Sequence, residues 1–208
     1  MKLICVTGPD GSGKTTQISR IAEILERGGK HQVAAVTIWD LLLDPTCKGK
    51  LLFDDPATVD RYLSILHPTS RALFLYHCFH EAMELGKKRG ANVLLINAYW
   101  YKYYATEVAH GGDKQKLRKL AEDIFPAPDL TFHLKIAPEQ AFGRKERLSG
   151  YESGFAKNRN EAAFVAFQRT AHAVLDELAA DLHWIPLDAR EPVARLTETI
   201  AQAIAKGD

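Results

Sequence analysis

Apolar residues along this chain fall into short runs that are separated by longer segments with helical spacing. The runs predict strands at Leu3–Thr7, Val33–Trp39, Val93–Asn97, Leu130–Ile136 and Trp184–Asp188. Between them, apolar side chains return every three or four residues over Lys14–Arg27, Ser70–Arg89, Gln115–Ile124, Pro138–Leu148, Glu161–Asp181 and Glu191–Lys206. Alternating strands and helices favour parallel pairing through right-handed crossovers. The pattern predicts one α/β domain over residues 1–208, with a five-stranded parallel sheet between two layers of helices.

A glycine-rich segment joins the first predicted strand to the first predicted helix. Gly-Pro-Asp-Gly-Ser-Gly-Lys-Thr, from Gly8 to Thr15, meets every fixed position of the phosphate-binding loop G-x-x-x-x-G-K-[ST]. Glycines let consecutive N–H groups turn toward one anion, and the following helix adds its positive end. We therefore predict a P-loop NTPase fold that binds ATP and Mg²⁺, with Lys14 on the β- and γ-phosphates and the Thr15 hydroxyl on the metal. The predicted ATP-binding residues are Gly8, Pro9, Asp10, Gly11, Ser12, Gly13, Lys14, Thr15 and Thr16.

Asp10 is an acidic residue inside a loop that is expected to hold phosphates. A carboxylate beside polyphosphate is repelled unless a cation or a hydroxyl group offsets its charge. Asp10 is therefore predicted to orient the acceptor or a metal-bound water during catalysis. The alternative is that aspartate simply favours the turn.

The segment near residues 144–160 is predicted to be a lid over the site. Leu148–Asn160 contains two Ser-Gly pairs and no apolar stripe, which is typical of a mobile active-site segment. Arg144 and Arg147 come three residues apart at a predicted helix end, which would place both on one face. They are predicted catalytic residues, since arginine stabilises the charge of a transferring phosphoryl group. Otherwise they form a solvated basic helix end.

Composition and charge narrow the class of protein. A chain of 208 residues can bury one full core, and its formal charge of +1 gives no indication of nucleic acid or a membrane surface as partner. No signal peptide and no transmembrane run is predicted. The three cysteines, Cys5, Cys47 and Cys78, are widely spaced, which fits a reduced cytoplasmic chain.

Several of these segments together resemble the thymidylate kinase family. Gly8–Gln17 is similar to the first motif of that family, Pro128–Leu134 to its Pro-Asp-Leu-Thr segment and Arg144–Glu152 to its lid. Phe164–Leu175 and Leu187–Ala189 follow in the family's order. The resemblance implies a nucleoside-monophosphate-kinase-like P-loop fold with ATP and Mg²⁺ as the donor. It also implies transfer of the γ-phosphoryl group to a nucleoside monophosphate (dTMP to dTDP) by a homodimer.

The departures from the family pattern fall on the acceptor side. Family members carry Asp-Arg-Tyr or Asp-Arg-Phe after the third strand, where the Arg holds the acceptor phosphate and the Asp lies close to the metal. This chain has Asn97-Ala98-Tyr99, and Cys78 stands where a family arginine helps to read thymine. Neither alanine nor cysteine replaces a bidentate guanidinium. The predicted substrate-binding residues are Phe74, Cys78, Asn97 and Tyr99.

Three questions about the acceptor side stay open at this point. The acceptor is a nucleoside monophosphate, or else a nucleoside or other small hydroxyl compound, or the protein is a non-catalytic nucleotide-binding regulator. The aromatic cluster from Tyr99 to Tyr104 either stacks on a base or packs under a lid or at a dimer surface. The irregular stretch from Asp40 to Pro56 is a candidate acceptor-side loop.

Overall fold

A computed structural model describes residues 1–47, 53 and 55–206 of this protein. The strands are β1 (Lys2–Thr7), β2 (Val33–Val36), β3 (Val93–Asn97), β4 (Leu130–Lys135) and β5 (Ile185–Asp188). They form one sheet in the order β2-β3-β1-β4-β5, and every neighbouring pair is parallel. The predicted five-stranded parallel α/β fold is thereby confirmed.

The described helices surround this sheet. They are α1 (Lys14–Arg27), α2 (Asp40–Leu43), α3 (Pro56–Ile65), α4 (Pro68–Lys88), α5 (Tyr99–Ala109), α6 (Lys114–Ile124), α7 (Pro138–Phe142), α8 (Glu161–Asp181) and α9 (Val193–Lys206), with 3-10 turns at Pro45–Cys47 and Tyr151–Ser153. Four of them begin at side chains that accept the free N–H groups of the first turn. Asp55 caps α3, His67 caps α4, Asp113 caps α6 and Asn160 caps α8. No helix of the described residues is both long enough and apolar enough to span a membrane.

Alternate residues of the central strand, β1, pack into two separate hydrophobic cores. Ile4 and Val6 of β1 pack in one cluster with side chains of α1 and α9. Leu3 and Cys5 pack on the other face with side chains of α4 and α5. Since successive side chains of a strand point to opposite faces, this division shows that the sheet is covered on both sides.

Three helices lie where none was predicted, namely α2, α3 and α5, and one predicted helix is too long. Nearly every residue from Tyr99 to Thr106 in α5 is buried, so no exposed stripe reveals a helical period in that sequence. Helix α2 lies inside the stretch Asp40–Pro56 that was expected to be irregular, and α3 begins at the last residue of that stretch. Residues 48–52 and 54 lie outside the described residues. Helix α7 ends at Phe142 rather than at Leu148.

The early end of α7 corrects the expected geometry of the two lid arginines. Gly143 forms the C-cap, and its N–H donates to carbonyls of the last turn. Gly143 keeps a right-handed φ of −59°, so it is the low helix propensity of glycine rather than a left-handed turn that favours an end here. Arg144 and Arg147 both lie beyond this cap, so the expectation that they share one helical face is wrong.

Candidate active site

The loop between β1 and α1 depends on glycine for its shape. Gly8, Gly11 and Gly13 have φ angles of +146°, +83° and +92°, which L residues rarely adopt. A Cβ atom at Gly8 or Gly11 would lie 2.5 Å from a backbone oxygen of a neighbouring segment. No side chain caps the start of α1 at Gly13, so the N–H groups of its first turn can turn to an anion.

Two buried polar side chains of the loop also fit a bound anion. Ser12 Oγ has no hydrogen-bond partner within the described part of the chain. Lys14 Nζ donates to two carbonyls of its own loop, Gly8 O at 3.0 Å and Pro9 O at 2.8 Å. Burial lowers the pKa of Lys14 to about 8, with Asp10 opposing that shift. A phosphate beside Lys14 would stabilise its charged form, so the loop suits the phosphates of a nucleotide.

A cavity of about 280 Å³, here called the phosphate cavity, opens at the carboxyl ends of β1 and β3. Its lining includes Asp10, Lys14, Thr15 and Asn97. Asn97 Nδ2 donates to Thr15 Oγ1 at 3.2 Å, which holds the end of β3 against the start of α1. Ligands of open parallel sheets bind at such strand ends.

The phosphate cavity has neutral oxygens where a Mg²⁺ ion would lie. Thr15 offers a hydroxyl group and Asn97 an amide oxygen. The described residues contain no cluster of three or more His, Cys, Asp or Glu side chains that could hold a metal. Mg²⁺ is often bound through one or two protein oxygens together with substrate phosphates. These residues therefore fit a metal that arrives with the nucleotide.

A strained turn connects β3 to α5 beside the phosphate cavity. Ala98 and Tyr99 have φ angles of +71° and +57°, a conformation that costs non-glycine residues about 1 kcal/mol or more. Thr7 Oγ1 donates to Ala98 O at 3.1 Å and holds the turn against the end of β1. The turn starts α5 in a direction that brings Lys102 and Tyr103 to the cavity wall. Strain of this kind concentrates at functional sites.

A second cavity of about 270 Å³, here called the apolar cavity, adjoins the first. Its walls come from α2, α3, α4, α5 and the segment after α7, and most of its lining side chains are apolar or aromatic. Phe74 and Cys78 line it, as does Tyr151 of the predicted lid. The lining thus includes two of the four predicted substrate-binding residues, whereas Asn97 lines the phosphate cavity.

Asp10 and Lys102 lie where the two cavities meet, because both residues line both of them. Lys102 Nζ and Asp10 Oδ1 are 2.6 Å apart, and the two side chains are only 18% and 13% exposed. Burial opposes ionisation of Asp10, but Lys102, Lys14 and Lys145 outweigh it and keep the pKa of Asp10 well below its usual value. Burial likewise opposes the charge of Lys102, yet Asp10 raises its pKa. No sequence motif marks Lys102, which stands alone among five aromatic residues.

Tyr99 does not reach either cavity, contrary to its predicted role at the acceptor. Its ring is completely buried, and Phe79 and Phe125 pack edge-on against it with ring centroids 5.5 Å away. Tyr99 Oη donates to Pro126 O at 2.6 Å. Tyr103 is the tyrosine of this cluster that lines both cavities. Most side chains of this aromatic cluster therefore pack in the hydrophobic core.

The cations around the loop also differ from those predicted. Arg144 Nη2 donates to Ala189 O at 3.0 Å, and Arg147 is exposed to solvent. Neither arginine lines the two cavities. Lys145, between them, acts electrostatically on both Asp10 and Lys14 and lies 2.8 Å from a carboxylate oxygen of Glu152. Lys145 is thus the lid residue whose charge reaches the loop.

A buried polar network attaches the lid segment to the wall of the apolar cavity. Tyr151 Oη donates to Glu107 Oε1 at 2.9 Å, and Arg71 Nε donates to both carboxylate oxygens of Glu107 at 2.8 Å. Arg71 Nη1 donates to Leu63 O at 2.9 Å, and its guanidinium lies 5.0 Å from the ring centre of Phe155. One ion pair therefore connects α3, α4, α5 and the lid. The sequence gives no sign of it, since these residues are far apart along the chain.

Comparison with known proteins identifies relatives along almost the whole chain. No protein-family model matches it. It is 27% identical over 197 residues to the thymidylate kinase of Halothermothrix orenii, with 92% of each chain covered. It is 27% identical over 204 residues to a probable thymidylate kinase of Archaeoglobus fulgidus, with 97% of this chain and 94% of that one covered. A thymidylate kinase of a Thermoanaerobacter strain is 29% identical over 153 residues. These matches and the parallel sheet with its phosphate-binding loop make the chain a relative of the thymidylate kinase family.

Proposed function

We propose that this protein is an ATP- and Mg²⁺-dependent phosphotransferase whose acceptor is a nucleoside monophosphate, with dTMP as the first candidate. The observation that carries the proposal is the meeting of the phosphate cavity and the apolar cavity at Asp10 and Lys102. A donor phosphate on the loop and a flat acceptor in the apolar cavity would face each other there. The names of the related proteins support the same activity.

The loop would hold the donor by its backbone and by Lys14. N–H groups from Gly8 to Thr16 surround the phosphates, and Lys14 exchanges the carbonyls of Gly8 and Pro9 for phosphate oxygens. The loop carbonyls hold the ammonium near this position before ATP binds, so little reorganisation is needed. When bound, Mg²⁺ neutralises charge on the β- and γ-phosphates, and Thr15 is the residue that would hold it.

Transfer in this site would depend on position and charge. An oxygen of the acceptor phosphate attacks the γ-phosphorus, and the bond from that phosphorus to ADP breaks. No proton has to leave a doubly ionised acceptor phosphate, so catalysis needs alignment and positive charge rather than a strong base. Lys14 and Lys102 supply that charge from the protein, and the apolar walls exclude water that would hydrolyse ATP.

We also propose that the segment from residue 144 to residue 160 moves during the cycle. During this movement Lys145 would stay close to the loop. Arg144 and Arg147 would reach the phosphates only after the segment has changed its conformation. The contact of Arg144 with Ala189 holds that arginine at the end of β5 in the present conformation. The catalytic roles of Arg144 and Arg147 remain predictions that depend on this movement.

A panel of acceptors tests the proposed function. The protein is mixed with ATP, MgCl₂ and each of the common nucleoside monophosphates and nucleosides in turn, and ADP release is measured. We expect acceptor-dependent release that is fastest with a pyrimidine deoxynucleoside monophosphate. Absence of acceptor-dependent release across the panel, with ATP binding intact, would instead support a nucleotide-binding regulator.

A neutral hydroxyl acceptor, such as a nucleoside, is a second candidate that one observation favours. Among the described residues that line the apolar cavity there is no arginine, and Lys102 is accompanied by three carboxylates. These are Asp10, Asp60 and Glu152. With a hydroxyl acceptor, its proton would pass to the Asp10 carboxylate as the new oxygen–phosphorus bond forms. Faster ADP release with a nucleoside than with its monophosphate would establish this candidate.

We further propose a homodimer that acts in the cytoplasm. Large apolar side chains on α2, α3 and α4 are exposed, namely Leu43, Ile65 and Leu73. The three cysteines are all free and buried, which suits a reducing compartment. Light scattering at micromolar concentration tests the dimer, and a monomer mass would contradict it.

A further inference from the structure

We propose that Lys102 binds the phosphate group of the acceptor and so makes the site select a phosphorylated acceptor over its unphosphorylated form. This inference rests on the phosphotransferase function proposed above and specifies what its acceptor side recognises. It follows from where the ammonium group lies, what it already contacts and which other cations are present.

Lys102 is the cation that an acceptor in the apolar cavity would meet. Within the described lining of that cavity it is the only lysine or arginine. It lies one turn into α5, and it also lines the phosphate cavity that contains Lys14. An acceptor whose base contacts Phe74 and Cys78 would direct its far end toward this junction, where the donor phosphate is expected.

The ammonium of Lys102 has donors left for a ligand. Lysine carries three N–H donors, and Asp10 Oδ1 accepts one of them at 2.6 Å. In the part of the chain that the structure describes, Lys102 Nζ makes no other hydrogen bond. With only 18% of the side chain exposed, water competes little for the two remaining donors. Charge-assisted hydrogen bonds to a phosphate are strong in such surroundings.

Asp10 would hold Lys102 in place rather than compete with the acceptor. The carboxylate fixes the ammonium at the junction, and Nζ lies over the ring of Tyr103, 5.8 Å from its centre. One lysine can bridge a carboxylate and a phosphate through different N–H groups. The opposing possibility is that Lys102 only neutralises Asp10. In that case its loss would weaken phosphorylated and unphosphorylated acceptors alike.

The test compares the affinities of dTMP and thymidine for wild type and variants, measured by calorimetry with a non-hydrolysable ATP analogue present. If the acceptor panel selects a different acceptor, that compound and its dephosphorylated form replace this pair. We expect Lys102→Met to reduce the preference for the monophosphate by about 10- to 100-fold and to change thymidine affinity little. Lys102→Arg should retain part of the preference. The matched control is Lys119→Met, which removes an exposed lysine of α6 that pairs with Asp123 and lines neither cavity, and which should keep the ratio.

A double variant separates phosphate binding from charge neutralisation. Asp10→Asn combined with Lys102→Met removes both charges, and thermal unfolding confirms that the protein is folded. A wild-type preference for the monophosphate in this variant would overturn the proposal. An equal loss of both affinities in Lys102→Met, or a wild type that prefers thymidine, would also overturn it. If the wild type prefers thymidine and phosphorylates it, the phosphotransferase function stands and only the role of Lys102 is rejected. If dTMP binding depends on Lys102 but no acceptor is phosphorylated, the phosphotransferase function is rejected and the phosphate-binding role of Lys102 stands.

Discussion

The two cavities of this protein are built in opposite ways. One side of the phosphate cavity is a continuous stretch, Asp10–Thr16, that is shaped by backbone N–H groups and glycine conformations, and the other side comes from the ends of β2 and β3 and from α5. The apolar cavity has walls from five further segments besides Asp10 of the loop, and its character comes from side chains. The first is polar and uses the main chain, whereas the second is lined by aliphatic and aromatic groups.

This difference indicates which part of the site can change while the fold is kept. A backbone cradle tolerates few substitutions, since a Cβ at Gly8 or Gly11 would overlap neighbouring main chain. A wall of side chains can be altered one residue at a time. Of the departures, Cys78 lines the apolar cavity, whereas Ala98 lines the phosphate cavity beyond its loop, and Lys102 provides a positive charge to both cavities. The four predictions that follow test, in turn, the support of the apolar cavity, the donor side, the acceptor side and the strand beside the loop.

The largest effect is expected at the ion pair behind the apolar cavity. Arg71→Leu leaves the carboxylate of Glu107 buried without its cation, and Glu107 is 0% exposed. We expect the free energy of unfolding to fall by about 3–5 kcal/mol. Denaturant titration measures it, and Arg71→Leu with Glu107→Leu should recover much of the loss. A decrease below about 1 kcal/mol would show that the network does not support this wall.

Loss of Lys14 should affect the donor side with every acceptor. Lys14→Ala removes the cation expected on the transferring group, and we expect kcat to fall by at least about 100-fold, or about 3 kcal/mol. ADP release under saturating acceptor measures the change. Lys119→Ala is the control, since Lys119 is exposed on α6 and pairs with Asp123. Normal turnover by Lys14→Ala would contradict the proposed role of the loop.

Shortening one wall residue should affect the acceptor side alone. Phe74→Ala removes a ring that lines the apolar cavity, and we expect the KM for the acceptor to rise by about tenfold, or about 1.4 kcal/mol. The KM for ATP should stay within about twofold. Leu73→Ala on the same helix is the matched control because Leu73 is largely exposed. An equal rise in both KM values would mean that the two cavities are not independent.

The smallest effect concerns acid stability next to the loop. His133 on β4 pairs with Thr7 in the sheet, and burial lowers its pKa to about 4, with Asp176 opposing. A depressed histidine pKa contributes stability that is present above about pH 6.5 and is lost as the pH falls toward about 4. We expect a contribution of about 0.7 kcal/mol between pH 7 and pH 6. His133→Leu should show less pH dependence in denaturant titrations, and an unchanged dependence would reject the assignment.

The phosphate-binding part of this site could be predicted from the sequence because its residues are neighbours along the chain. The loop from Gly8 to Thr16 is contiguous, and its position between a strand and a helix follows from the spacing of apolar residues. Arg144 and Arg147 were placed wrongly because α7 ends at Phe142, well before the predicted end at Leu148. Tyr99 was expected at the acceptor, but burial on every side of α5 gives no sign of which tyrosine reaches the cavity.

By itself the sequence determined the strand and helix alternation, the parallel sheet, the phosphate-binding loop and the family relationship. Those properties depend on neighbours in the chain, where backbone conformation and periodic burial are set locally. Only the tertiary structure decided that Lys102 meets Asp10, that Arg71 joins Glu107 beneath the lid and that the apolar cavity shares a wall with the loop. Those contacts join residues 36 to 92 positions apart, and long-range packing alone brings them together.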